Sequence, residues 1–205
     1  MRLSIQVLSF LIVLSMSLYS SKLFSQDYYE YMSEKRAATI ESLWQSERQP
    51  ILAEDTIHLQ FFPIDETYRL SCTLEFPENP EPFDIATYSG QLRSYILWAT
   101  AHAELNGQKI SLQLYQNHEQ LLKGNFTDYL FLPFKDYTNG EQSYGGGRYM
   151  NLSIVQIEAE GCILDFNTAY NPWCAYRDGF HCPIPPRANH LDIEIMAGEK
   201  DFVDY

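Results

Sequence analysis

Tyr95-Ile96-Leu97-Trp98-Ala99-Thr100-Ala101-His102-Ala103-Glu104-Leu105-Asn106-Gly107-Gln108-Lys109-Ile110-Ser111-Leu112-Gln113-Leu114-Tyr115 is the stretch that decides the fold. Asn106-Gly107 at its centre is the preferred dipeptide of a two-residue type I′ hairpin turn. A loop there sets Leu105 opposite Gln108, Ala103 opposite Ile110, Ala101 opposite Leu112 and Ala99 opposite Leu114. The other face pairs Glu104 with Lys109, His102 with Ser111 and Thr100 with Gln113. One register thus sorts apolar from polar and brings opposite charges together. The small alanines facing Ile and Leu leave room for another layer.

The pattern extends outward from this hairpin. Ile57–Phe61 and Tyr68–Leu74 alternate, and Pro77, Pro80 and Pro82 then break the chain. Further strands are predicted at Tyr129–Pro133, Tyr149–Ile157, Cys162–Phe166 and Leu191–Met196. In the last, Leu191, Ile193 and Ile195 oppose Asp192 and Glu194. Residues 27–48 place Met32, Ile40, Leu43 and Trp44 near a 3.6 period, which predicts a helix that packs as an arm and ends before Pro50. Many short strands without strand–helix alternation predict a mostly-β fold. The expected form is an antiparallel β-sandwich or partly open β-barrel with an N-terminal helix.

The chain begins Met1-Arg2 and then runs uncharged from Leu3 to Tyr19 before Ser20, Ser21 and Ser25. This reads as a secretory signal peptide over residues 1–25, with Gln26 as the new N-terminus. The rival is an uncleaved anchor, for which an apolar core of about 17 residues is at the short limit. Residues 26–50 then form the helical arm and 51–205 one all-β domain. Without Arg2 and Lys22, 12 basic residues face 27 acidic ones and the formal net charge is −15. Such a surface repels nucleic-acid phosphates and anionic membranes. The expected product is periplasmic or extracellular, with no stable membrane span after cleavage.

The C-terminal third holds Tyr144-Gly145-Gly146-Gly147-Arg148-Tyr149, Leu164-Asp165-Phe166-Asn167 and Ala169-Tyr170-Asn171-Pro172-Trp173-Cys174-Ala175-Tyr176. Cys182-Pro183-Ile184-Pro185-Pro186, Asn189 and Ala197-Gly198-Glu199-Lys200 follow. These motifs resemble a family known as domain of unknown function 1684, most strongly over about residues 129–200. The resemblance brings no activity with it; it implies that this third is the family's common site or scaffold.

Two uses of these residues stay open. Gly145, Gly146 and Gly147 can turn the chain into the strand at Tyr149. They can also let the backbone approach a ligand, with Arg148 offering a fork to a carboxylate or phosphate. Asp165, Asn167, Asn171, Tyr176 and Asn189 can bind a sugar or other small polar ligand, or scaffold their own loops. We take the nine as the candidate site for a small polar ligand or an envelope component. The alternatives are a hydrolase using Asp165 and Glu199 as a carboxylate pair, and a structural module without a ligand site. No nucleophile elbow, metal helix or phosphate loop is present in the sequence, so no cofactor is expected.

Four cysteines in an exported chain suggest disulfides. Cys174 and Cys182 lie close together in a segment without regular pattern, and a bond is predicted between them. The pairing of Cys72 and Cys162 stays open. Cys174, His181, Cys182 and His190 match no standard zinc spacing, and no metal site is assigned.

Overall fold

A computed structural model of the protein describes residues 26–202. The proposed signal peptide lies outside the described residues. The chain divides into two compact units, residues 1–39 and 40–205. Helix α1 covers residues 26–44. In its first-unit part, Ser33 and Thr39 return their hydroxyls to the carbonyls of Tyr29 and Lys35, four residues back. The helix stops short of the expected residue 48. Ser46 to Gln49 form a turn, and Gln49, directly before Pro50, stands at φ 42°.

The second unit carries seven strands: β1 (Arg69–Glu75), β2 (Phe83–Ala86), β3 (Leu92–Leu105), β4 (Gln108–Asn117), β5 (Tyr129–Phe134), β6 (Arg148–Ser153) and β7 (Cys162–Asp165). They form one antiparallel sheet in the order β6-β5-β4-β3-β1-β7, with β2 also paired to β3. The sheet curls into a half-barrel, the open form of the predicted architecture. Short helices α2 (His118–Leu122) and α3 (Ile154–Glu160) connect strands.

The hairpin has the predicted register from Leu105↔Gln108 to Ala99↔Leu114. Asn106 and Gly107 take φ 51° and 80°, as a type I′ turn requires. Beyond Ala99 the register shifts, so that Leu97 faces Tyr115. A bulge of one residue moves side chains to the opposite face of a strand. Ala101 and Leu105 therefore join an aliphatic core with Leu112, Leu130 and Leu164. Tyr95 instead joins an aromatic cluster with Tyr115, Phe131 and Tyr149, and Leu97 packs against it. Strand β5 serves both layers: Leu130, Leu132 and Phe134 face the first, Phe131 the second.

Three expected strands differ. Glu54–His58 is a 3₁₀ helix instead of the start of a strand, and Ile57 is 79% exposed. The Thr56 hydroxyl donates to the Ala53 carbonyl and fixes this turn; only Phe61 makes a β-bridge, to Glu199. The strand expected to run to Ile157 ends at Ser153, whose hydroxyl accepts from Gln156 N at 3.0 Å and starts α3. Ser153 with Gln156 three residues on is a capping signature that outweighs the apolar alternation. Residues 191–196 form no strand. Their alternation is real, since Leu191 and Ile195 are buried, but no continuous ladder forms: Leu191 N donates to the Lys135 carbonyl and the Ile193 carbonyl accepts from Tyr137 N, whereas Ile195 donates to Asp136 and accepts from Arg148.

Both cysteine pairs are bonded. Cys174–Cys182 is the predicted staple, with Cα atoms 6.2 Å apart. Cys72–Cys162, the pairing left open, joins directly opposed residues of β1 and β7 at 5.2 Å. No helix among the described residues is long and apolar enough to cross a membrane.

Candidate functional site

The nine sequence-selected residues are mostly buried, and their polar groups turn to their own chain. Arg148 is 0% exposed. One guanidinium nitrogen donates to the carbonyls of Ala197 and Glu199, and the other to Asp136 Oδ2 at 2.8 Å and the Ile195 carbonyl at 2.8 Å. Asp136 Oδ1 meanwhile accepts from Thr138 N, the Thr138 hydroxyl and Ile195 N. Asp136 and Arg148 thus form a buried, multiply bonded ion pair that ties the irregular C-terminal segment to β6.

Two asparagines, Asn189 and Asn167, act as surrogate peptide groups between distant segments. Gln113 would sit opposite Pro133 if the β4–β5 ladder continued from Tyr115↔Phe131. Proline has no N–H to offer. The Asn189 carboxamide fills the gap: its Nδ2 donates to the carbonyls of Gln113 and Pro133, and its Oδ1 accepts from Gln113 N. Asn167 pairs in the same way with both backbone groups of Asp65. Asn171 donates twice to Glu199 and once to the Lys200 carbonyl.

Glu199 is buried and also accepts the Tyr176 hydroxyl at 2.6 Å. Burial raises its carboxyl to about 7, against the lowering effect of the Tyr176 and Asn171 bonds and of Arg148. Asp165 caps the short 3₁₀ turn that contains Asn167. Each carboxylate is held by its own donors. Among the glycines, the Gly145 carbonyl accepts from Lys135 and that of Gly146 from Tyr88. Gly147 stands at φ 94°, where a Cβ would lie 2.6 Å from the Phe134 carbonyl; only glycine fits.

A cleft of about 280 Å³ opens beside this framework. Tyr95, Phe131, Tyr149 and Tyr170 line it together with Trp173, Phe180 and Cys182 from the disulfide-stapled segment and the turn before it. None of the nine selected residues lines it. Its charged lining residues are Arg48 and Arg93, joined by the polar Asn117 and His181. The Arg48 guanidinium lies 5.0 Å from the Trp173 ring centre and 5.4 Å from that of Phe180. Two signals for this cleft existed in the sequence: Trp173 stands within a motif, and arginines are scarce. The bulge that brings Tyr95 to this face left no mark in the alternation.

A second depression, of about 570 Å³, lies over Ser71–Thr73, His102–Glu104 and Lys109–Ser111. Here the Ser111 hydroxyl meets His102 Nδ1 at 2.8 Å, and His102 Nε2 meets Glu75 at 3.1 Å. The series resembles a nucleophile relay. It lies on an exposed sheet face, where β3 is laddered to both β1 and β4, so the neighbouring amides are committed and build no oxyanion hole. Among the described residues, no group of three or more His, Cys, Asp or Glu is placed to hold a metal ion.

The family model described as "Protein of unknown function (DUF1684)" matches residues 56–200. The chain is also similar to an uncharacterised protein of Haloarcula marismortui solved by solution NMR. The two share 34% identity with a TM-score of 0.65, over 88% of this chain and 99% of the other. No curated protein matches the chain. Motifs, family match and shared fold agree that the chain belongs to the DUF1684 family.

Proposed function

We propose that this protein is an exported small-molecule-binding domain, and that its binding site is the aromatic cleft between the sheet and the Cys174–Cys182 segment. The observation that carries this reading is the combination of concavity, aromatic walls and a few polar groups at one site, the usual composition of ligand pockets. The nine sequence-selected residues then serve the site indirectly. Asn171, Tyr176 and Glu199 anchor the chain on either side of Trp173, and Arg148 holds the C-terminal segment in place. Two disulfides and the uncharged run Leu3–Tyr19 support export to an oxidising compartment.

Native mass spectrometry of protein recovered from the envelope or medium of an exporting host tests the proposal. The expected spectrum shows a small-molecule adduct that is lost on unfolding and absent from a variant that fills the cleft from an exposed lining position, His181→Trp. An adduct that persists in that variant places the ligand elsewhere. Protein that stays unliganded after exposure to whole-cell extract overturns the binding reading.

A further inference from the structure

The charges in the cleft run against those of the whole chain. Acidic residues outnumber basic ones by 27 to 14, yet no carboxylate lines the cleft and two arginines do. Among the described residues neither Arg48 nor Arg93 has an ion-pair partner, whereas Arg148, elsewhere, is paired with Asp136. Arg48 is exposed and Arg93 half-buried, so both can be reached from solvent.

Their settings leave the hydrogen-bonding edges available. Arg48 packs near Trp173 and Phe180, and a guanidinium stacked on a ring by its face keeps its N–H donors in its own plane. Arg93 and Tyr95 are two residues apart on β3 and share one face. Asn117 bonds the Tyr95 hydroxyl, and the Arg93 charge acts on that hydroxyl too.

The rest of the cleft offers rings more than hydrogen bonds. The hydroxyls of Tyr129 and Tyr170 both donate to Asn151 Oδ1, at 2.6 and 2.8 Å. That of Tyr149 donates to the Pro183 carbonyl. Burial raises all three phenols, Tyr170 to about 12, so they stay neutral at physiological pH. The cleft therefore carries two cationic groups, and its tyrosine hydroxyls are uncharged and already bonded within the protein.

Resting on the cleft reading above, we infer that the ligand is a small amphipathic anion: a flat apolar body that packs on the tyrosine and tryptophan rings and carries a carboxylate or similar acidic group bound by Arg48 and Arg93. Two arginine forks suit a planar anion, and the ring walls suit an unsaturated or aromatic body.

Isothermal titration of the full mature chain with 2-naphthoate and with 2-naphthamide tests this, because the pair differs in charge and little in shape. Naphthoate should bind roughly tenfold or more tightly than naphthamide, the scale of charge-assisted pairing. Arg48→Gln/Arg93→Gln should remove that preference, so that the variant binds the two probes equally. Equal binding of the two probes by the unmutated protein overturns the anion assignment and leaves the cleft standing. A preference for naphthoate that survives in the double variant overturns the roles of the arginines. Binding of neither probe removes the aromatic-anion class, and an extract-derived adduct in native mass spectra would then show that the cleft itself still binds.

Discussion

Arg148 and the pair Arg48 and Arg93 occupy two regions that treat the same side chain in opposite ways. In the clamp region Arg148 is 0% exposed and donates to one carboxylate and three backbone carbonyls. In the cleft, Arg48 and Arg93 remain accessible and have no carboxylate within ion-pair distance among the described residues. A buried arginine needs its charge paired when the protein folds. An accessible one is solvated in the empty protein and can exchange water for a ligand. The comparison teaches that a scarce arginine inside a motif is not by that fact a binding group. Here the motif arginine holds the fold, and two arginines that stood out less line the cleft.

The strongest way to break this comparison is to remove the clamp. Arg148→Met leaves Asp136 charged and buried and frees three carbonyls from their donor. Breaking a buried pair from one side costs about 3–5 kcal/mol, a large part of a domain's stability of about 5–15 kcal/mol. Urea unfolding should show a midpoint far below that of the unmutated protein, or no cooperative transition. A variant within about 1 kcal/mol of the parent would mean that Arg148 is not a clamp.

The next effect in size comes from Glu199, the buried carboxyl of the same region. Its folded value of about 7 lies above the ordinary 4.5. As pH rises from 4.5 to 7 the unfolded chain releases this proton first, and the folded state binds the proton more tightly. Stability from this group is therefore full below about pH 4.5, falls across the window and is flat above 7, a change on the order of 3 kcal/mol. Unfolding free energies measured from pH 4.5 to 8 should fall more steeply for the parent than for Glu199→Gln. The difference in slope is the readout, since the amide also disturbs the donors of Asn171 and shifts both ends equally. Parallel profiles would show that Glu199 titrates normally and that the clamp region holds no strained charge.

How much of this was legible in the sequence follows the same division. The hairpin was readable because Asn106-Gly107 fixes a turn and each following pair sorts by face. The Cys174–Cys182 bond was readable from its short separation in an irregular stretch. Residues 191–196 misled because alternation reports burial and not the bonding partner: Leu191 and Ile193 bond the backbone of the loop after β5, and Ile195 turns to the side chains of Arg148 and Asp136. Asn189 and Asn167 were picked out as polar, but their partners lie 76 and 102 residues away, a distance that local turn chemistry does not reveal. The cleft was the least visible part. It depends on the shift after Leu97, and a bulge changes the face of Tyr95 without changing the pattern of letters.

The smallest expected effect sharpens the comparison from the other side. Arg93→Gln removes a charge that has no ionic partner in the empty protein, so its cost should stay within about 0.5 kcal/mol. Arg48→Gln loses its packing on Trp173 and Phe180 as well, and exposed cation–π contacts contribute about 0.5–1 kcal/mol. Both values fall well below the cost at Arg148, although the three substitutions remove the same kind of group. The measurement is urea unfolding of each variant without ligand, repeated with saturating naphthoate. In the parent the anion should raise the midpoint, because it binds the folded state alone; in the double variant that rise should disappear. If either cleft arginine instead costs 3 kcal/mol or more in the empty protein, it is a structural clamp like Arg148. The two regions would then differ only in exposure, and the assignment of an anion to the cleft would lose its basis.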